Sequence, residues 1–370
     1  MTHHSSPGTA TGHEATAVEA ILDRAIAGTR LGPEELQRLF EEGRLLDLGW
    51  AADRIRRRHV DADAASFIID RNINYTNVCV YRCRFCAFYR TPQASDAYVL
   101  PFREIAEKVA ETVASGGTGI LLQGGVHPDL RIDFYEDLLR KLKSRFPQIH
   151  LHAFSAPEIW YIAKREKMPV REVLLRLVAA GLDSVPGGGA EILEDATRRR
   201  IWSRAKASTD QWLEVHREAH ALGLRTTATM MFGVGEPYAA RVAHLAAVRN
   251  LQDESGGFTA FIPWTFQDEN TELEGEVERA GGFDYLRTLA ISRLALDNFD
   301  HVQGSWVTQG PKMGQVSLLF GADDLGSIML EENVVAAAGA QHRMTQGDIE
   351  RVISGAGFEP RQRRTLYEPL

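Results

Sequence analysis

Cysteine is scarce in this chain. Its 370 residues hold three, Cys79, Cys83 and Cys86, and no partner lies elsewhere, which excludes a disulfide framework. Long apolar runs are missing too: none approaches the roughly 20 residues that a membrane-spanning helix needs. Positive charge is not in excess. Lys and Arg number 42 against 50 Asp and Glu, a net charge of −8, which argues against general nucleic-acid binding, where a basic face is needed. No G-x-G-x-x-G opens a helix after the first apolar strand, which disfavours a dinucleotide fold, and no solenoid-type repeat recurs. Residues 1–17 are rich in Ser, Thr, Gly and His with no apolar stretch, so no secretory signal is expected. Residues 1–15, His3 and His4 among them, read as a disordered tail.

What is present points to a globular α/β protein. Hydrophobic residues make up 44% and charged residues 25%. From Thr16 to Arg58 the apolar spacing is helical, with Val18, Ile21, Leu22 and Ile26 on one face and Pro33 opening a second helix. The run Arg54, Arg56, Arg57 and Arg58 reads as the solvated end of a third. Beyond it, short apolar strands alternate with helical segments almost to the C-terminus. The strands are expected at Ser66–Asn77, Gly119–Gln123, Ile149–Phe154, Asp183–Pro186, Thr226–Phe232, Phe258–Trp264, His301–Trp306 and Gln315–Phe320. About eight such β/α units close as a (β/α)8 barrel; an open doubly wound sheet is the second choice. The expected organisation is a tail over 1–15, an N-terminal helical cap over 16–62, the barrel over 63–330 and packing helices over 331–370.

The cysteines follow the first strand with spacing C-x3-C-x2-C. A structural zinc ion takes four ligands, so three Cys would need a fourth from outside. Thiolates also hold iron–sulfur clusters, commonly four per cluster. Three would bind three irons of a [4Fe–4S] cube and leave the fourth open to a small molecule. With an aromatic, Phe85, just before the last Cys, the stretch resembles the signature of radical S-adenosylmethionine (SAM) enzymes. The resemblance implies a [4Fe–4S] cluster on Cys79, Cys83 and Cys86, SAM chelated at the open iron, and cleavage of SAM to a 5′-deoxyadenosyl radical. A thiolate-bound cluster needs a reducing compartment, so a cytoplasmic location is expected.

In a barrel, active residues sit at the C-terminal ends of strands. Gln123, Gly124 and Gly125 end the second expected strand, where paired glycines let a ligand approach the backbone. The resemblance places SAM's methionine amino group there, and Gly125 is expected to stay small for that reason. It also implies that Glu191, after Gly187-Gly188-Gly189, holds the SAM ribose and that Phe85 packs on adenine. A cation for SAM's carboxylate is expected from Arg198, Arg199, Arg200, Arg204 or Lys206, Arg204 and Lys206 being preferred. Later strand ends gather Trp264, Gln267, Ser305, Trp306, Thr308 and Lys312, apolar walls with a few polar groups, which suit an aromatic, hydroxylated, anionic ligand.

Together, Tyr75–Cys79, Gln123–Leu130, His152–Ile159, Gly187–Ile192 and Trp306–Lys312 resemble the dehypoxanthinyl futalosine cyclases, radical SAM enzymes of the futalosine route to menaquinone. The resemblance spans roughly residues 67–339. It departs at Gly233-Val234-Gly235-Glu236-Pro237, where relatives commonly carry a His after the first glycine and a Thr before the proline. It implies abstraction of the ribose C4′ hydrogen of dehypoxanthinyl futalosine, closure onto the benzoate ring, and loss of one electron and one proton. His152, Glu158, Asp323 and Asp324 are candidates for the base, and Lys312, Ser305 and Thr308 for partners of the benzoate. An external one-electron reductant such as flavodoxin or ferredoxin is implied. The alternatives are an aminofutalosine synthase or a deazaflavin synthase subunit.

Overall fold

The computed structural model describes residues 17–202 and 206–370. The expected tail over 1–15 and Arg204 lie outside the described residues. Three helices open the chain: α1 (Ala17–Ile26), α2 (Pro33–Glu42) and α3 (Leu45–His59). The alternating part then runs β1 (Ala64–Ile68), β2 (Asp70–Asn74), α4 (Phe102–Ala114), β3 (Gly119–Gln123), α5 (Ile132–Arg145) and β4 (His150–Ala153). It continues with α6 (Ala156–Glu166), α7 (Val170–Ala180), β5 (Ser184–Val185), α8 (Asp195–Ile201), α9 (Thr209–Ala221) and β6 (Arg225–Phe232). Next come α10 (Tyr238–Ser255), β7 (Phe258–Thr265), α11 (Gly282–Ala295), β8 (His301–Val302), α12 (Trp306–Gln309) and α13 (Pro311–Ser317). The chain ends with β9 (Asp324–Ser327), α14 (Gln346–Gly355) and β10 (Glu359–Gln362).

The strands β2 to β8 form one parallel seven-stranded sheet in strict sequence order, as short β/α crossovers require. The sheet curls toward closure. An isolated bridge, Gln303 to Asp324, continues it to β9, and β9 pairs with β1 in a second sheet of order β10-β1-β9. Since β1 and β2 are one strand interrupted at Ile69, the eight-unit barrel closes through β9 and β1 at its lower end, where the strands begin. The closure there is made by hydrogen bonds from Ser66 N to Asp323 O and from Ile328 N to Ile68 O.

Three expectations give way here. Gln315–Phe320 is not a strand: Pro311 opens the helix α13 and the eighth strand is β9. The stretch after His301-Val302 turns into the helix α12. The arginines ending α3 are not all solvated. Arg56 is fully buried, donates to the carbonyls of Asp61, Ala62 and Ala64, and lies 4.6 Å over the Phe358 ring. The helices α2 and α3 pack against α10 and α11 on the barrel's outer layer, with Phe40 stacked on Tyr238 at 4.8 Å.

The segment after α14 is a strand and a plug rather than helix. β10 adds in parallel to β1, and the chain then crosses under the barrel. Arg363 there makes a bidentate pair with the buried Asp324, at 2.6 and 2.8 Å, while Asp324 also accepts from Ser66 Oγ. Tyr367 is sandwiched between the Arg363 guanidinium, 3.8 Å from its ring centre, and the His301 ring at 3.7 Å. Breaking a buried ion pair leaves its partner charged and unpaired. Arg363→Met is therefore expected to cost about 3–5 kcal/mol, read as a lowered denaturation midpoint; an unchanged midpoint would mean that Asp324 finds solvent or another partner.

Candidate functional site

The cysteine loop leaves the upper end of β2 and is clamped by backbone bonds from separate elements. Cys79 N donates to Arg90 O, Val80 N to Val126 O, and Arg84 N to Ile201 O. Arg82 takes a left-handed conformation, φ 43°, which turns the chain between Cys79 and Cys83. Cys83 is buried and Cys79 and Cys86 half-buried, packed with Tyr81, Val126, Trp202, Met231 and Phe266. Burial pushes the Cys83 thiol up to about 12 and raises Cys86 as well. Such thiols ionise on binding a cation.

Among the described residues, no three Cys, His, Asp or Glu side chains converge on one metal ion. A single tetrahedral ion with bonds near 2.3 Å would draw its sulfurs to about 3.8 Å of one another. Three corners of a cube hold each sulfur on its own iron, so the ligands need not converge on one point. The all-thiolate donor set, in a largely apolar pocket, fits a cluster better than an ion.

Beside the loop lies a buried ion pair. Lys206 Nζ is 3.2 Å from Glu191 Oε1, 5.0 Å from the Phe85 ring centre and 4.3 Å from that of Trp202. Burial opposes the Lys206 charge, but Cys83 and Glu191 favour it and keep the ammonium above the ordinary lysine value. The other Glu191 oxygen, Oε2, is buried without a protein partner, and the residue is held at φ 41°. An unpartnered carboxylate oxygen facing a cavity is what a ligand hydroxyl would satisfy, so Glu191 fits the SAM ribose. Of the other basic candidates, Arg198 is spent on structure: it donates to the carbonyls of Gly189, Ala190, Ile192 and Ala207 and stacks on Trp202. Arg199 and Arg200 are exposed.

Inside the barrel is a cavity of about 310 Å³. Gln123, Gly188 and Glu191 line its upper end, with Trp264, Ser305, Trp306 and Thr308 on one wall, His152 on the other, and Asp70, Arg363 and Tyr367 toward the plug. Cross-strand register explains the grouping. Asn72 pairs with Leu121, Leu121 with His152 and His152 with Ser184, so inward-facing residues of β2, β3, β4 and β5 form one layer. The β6 threonines hold the glycine loop: Gly187 N donates to Thr227 Oγ1 and Thr229 Oγ1 to Gly187 O. Trp306 is buried and fixed by its Nε1 on Ser327 O, 3.1 Å away.

Several expected residues stand outside the cavity. Glu158 caps α6: with Ser155 it forms a capping box, and it also accepts from Tyr75 Oη and Gly124 N. Burial raises its carboxyl, and its hydrogen bonds go to Ser155, Tyr75 and Gly124. Asp323 is buried between Arg293 and His301 and accepts from Val302 N. Burial would raise it, yet those partners hold it below the usual range. Asp324 is held by Arg363. Lys312 is exposed on α13. Gln267 turns back on Thr265 and Phe266. Gly124 abuts the Tyr75 ring and Gly125 the Val78 carbonyl.

Asp70, Asn72, Thr227, Thr229, Gln303 and Arg363 line the cavity and were not singled out from sequence. For β2 and β6 a signal existed. Polar residues at alternate positions of a parallel strand, which is normally buried on both faces, mark an interior that is not filled by side chains. Asp70-x-Asn72 and Thr227-x-Thr229 show that pattern. Burial pushes the Asp70 carboxyl up to about 6.

Residues 73–248 match the radical SAM superfamily and residues 255–370 match the CofH/MqnC C-terminal region. The chain is similar to the cyclic dehypoxanthine futalosine synthase of Streptomyces coelicolor, 48% identical over 360 residues that cover 96% of this chain and 90% of the relative. It is similar to the aminodeoxyfutalosine synthase of Thermus thermophilus at 40% identity, covering 95% of each chain. Among solved structures it shares its fold with methylornithine synthase, with TM-score 0.71 at 19% identity, covering 92% of this chain and 97% of that one. No described helix is long and apolar enough to cross a membrane. On this agreement along nearly its whole length, the chain belongs to the radical SAM enzymes, in the family that includes the cyclic dehypoxanthine futalosine synthases.

Proposed function

We propose that this chain cyclises dehypoxanthine futalosine by radical chemistry in menaquinone biosynthesis. The observation that carries the reading is 48% identity to a cyclic dehypoxanthine futalosine synthase over nearly the full length, against 40% to the aminodeoxyfutalosine synthase. The cavity agrees with a ligand that is aromatic at one end and hydroxylated along its length, since two indoles face polar residues of β2, β4 and β6. Cys79, Cys83 and Cys86 hold the [4Fe–4S] cluster, and Gln123 and Glu191 face SAM. Bound there, cluster and SAM would supply the radical chemistry that opens the reaction at the ribose C4′ hydrogen.

The chain's own residues position, shield and accept a proton. Trp264 and Trp306 flank the benzoate ring. Ser305 Oγ and Thr308 Oγ1 lie 3.1 Å apart and donate to its carboxylate, in place of Lys312. Of the four candidate bases only His152 lines the cavity, so it takes the ring proton that restores aromaticity. Burial lowers its imidazole to about 3, so at neutral pH it is uncharged and one ring nitrogen carries a free lone pair. A one-electron carrier of the flavodoxin or ferredoxin class completes the electron balance, and the setting is the reducing cytoplasm.

The test is anaerobic turnover of the reconstituted protein with three substrate sets: dehypoxanthine futalosine, the enol ether of the aminodeoxyfutalosine synthases, and tyrosine with a diaminouracil. Cyclised futalosine product is expected from the first alone; turnover of either other set in its place would overturn the reading. In the same assay Lys312→Ala is expected to keep product formation within about twofold, as exposed substitutions away from a site usually change energies by less than about 0.5 kcal/mol. A tenfold loss would mean that α13 moves its lysine into the cavity.

A further inference from the structure

A buried chain of three side chains leads out of the cavity, and the chemistry so far uses only its first member. His150 and His152 stand two residues apart on β4, so both point into the barrel. Register sets Ser184 of β5 opposite His152. The fully buried Ser184 Oγ lies 2.6 Å from His152 Nδ1 and 2.7 Å from His150 Nε2. A hydroxyl between two imidazoles donates to one and accepts from the other, so the three groups form a continuous hydrogen-bonded line.

The line has two open ends in different places. His152 borders the reaction cavity. His150 borders a separate polar cleft under the barrel, lined by Lys143, Asp183, Arg364 and Glu368. The charges facing His152 and His150 are Arg363 toward the first and Asp183, Lys143 and Glu368 toward the second. Burial lowers both imidazoles, so neither stores a proton for long at neutral pH. A buried base of that kind works in repeated turnovers only if the proton moves on.

We propose that His152, Ser184 and His150 are a proton-exit relay that carries the proton released on rearomatisation from the cavity to the cleft beneath the barrel. The proposal rests on the cyclase reading. In the step, the ring C–H bond breaks and its proton goes to His152 Nε2. The bonding pair stays in the ring, and the one excess electron passes to the one-electron carrier. His152 gives its Nδ1 proton to Ser184 Oγ, Ser184 gives its own to His150 Nε2, and His150 releases its Nδ1 proton to the cleft; rotation of the two rings and the hydroxyl then restores the starting arrangement for the next turnover. His152 is the catalytic base; Ser184 and His150 act through it.

The experiment uses the full, reconstituted chain and measures 5′-deoxyadenosine and cyclised product separately from pH 6 to 9. With Ser184→Ala, deoxyadenosine formation is expected to persist while product per deoxyadenosine falls by about 100-fold, the usual worth of a positioned proton acceptor. That loss is expected to shrink as pH rises and solvent bases replace the relay. With His150→Ala the same loss is expected, and added imidazole, entering from the cleft, restores product. Unchanged product per deoxyadenosine in Ser184→Ala at every pH would overturn the relay. So would joint loss of deoxyadenosine and product in both variants, which marks a structural role, or failure of imidazole to restore His150→Ala. Absence of cyclised product with the unaltered chain would instead overturn the cyclase reading, and the relay with it.

Discussion

Cys83→Ala is expected to abolish SAM cleavage and cluster retention together. Cys83 is the central thiol of the loop and the most buried of the three. No other cysteine exists in the chain to replace it, and among the described residues no His, Asp or Glu joins the three thiols as a substitute ligand set. Alanine leaves two thiolates, too few to keep three irons ligated, and a cluster whose ligands are lost is released. The measurements are iron content, the absorbance of the reconstituted protein and 5′-deoxyadenosine formation under reductant. Retained iron with full cleavage of SAM would show that the cluster is held elsewhere.

Gly125→Val is expected to be nearly as severe, and for a reason different from ligand contact alone. A Cβ at Gly125 would lie 2.3 Å from the Val78 carbonyl oxygen and 2.7 Å from its carbon. Backbone cannot swing aside as a side-chain end can, so the segment before Cys79 must move. That segment is tied on both sides, by Gly125 N to Thr76 O and by Val80 N to Val126 O. Valine thus displaces Cys79 as well as crowding the ligand's approach. From sequence alone Gly125 stays small only because the ligand lies against it; the packing predicts that iron content falls too. Full iron with weak SAM binding would restore the simpler view that only the ligand touches Gly125.

Much of the chemistry was legible because it is local. The cysteine spacing lies within one loop, so no long-range information is needed to see it. The β/α alternation follows from apolar runs and helix caps, and it led to the barrel. Three candidates stand apart from the cavity for a shared reason. Glu158, Asp323 and Lys312 were judged by chemical type and by nearness to a strand end. For Glu158 a local warning existed, since Ser155-Ala156-Pro157-Glu158 is a helix start whose Glu bonds the cap. For Asp323 there was none, because Arg293 and His301 come from other units of the barrel. Lys312 stands apart because Pro311 begins a helix, and a helix of two turns points its residues to several sides.

Spacing and residue type in the sequence therefore decided the class of cofactor, the strand order and the loop that carries the thiols. Each of these is set by neighbours a few residues apart. Barrel closure decided the rest. It brings Glu332 against Asn72 across 260 positions of sequence, and Arg363 against Asp324 across 39. It puts Ser184 between two histidines of a neighbouring strand. A carboxylate or imidazole has no fixed role until its partners and its burial are known, because desolvation and pairing shift its charge in opposite directions. Those two quantities exist only once distant strands have met.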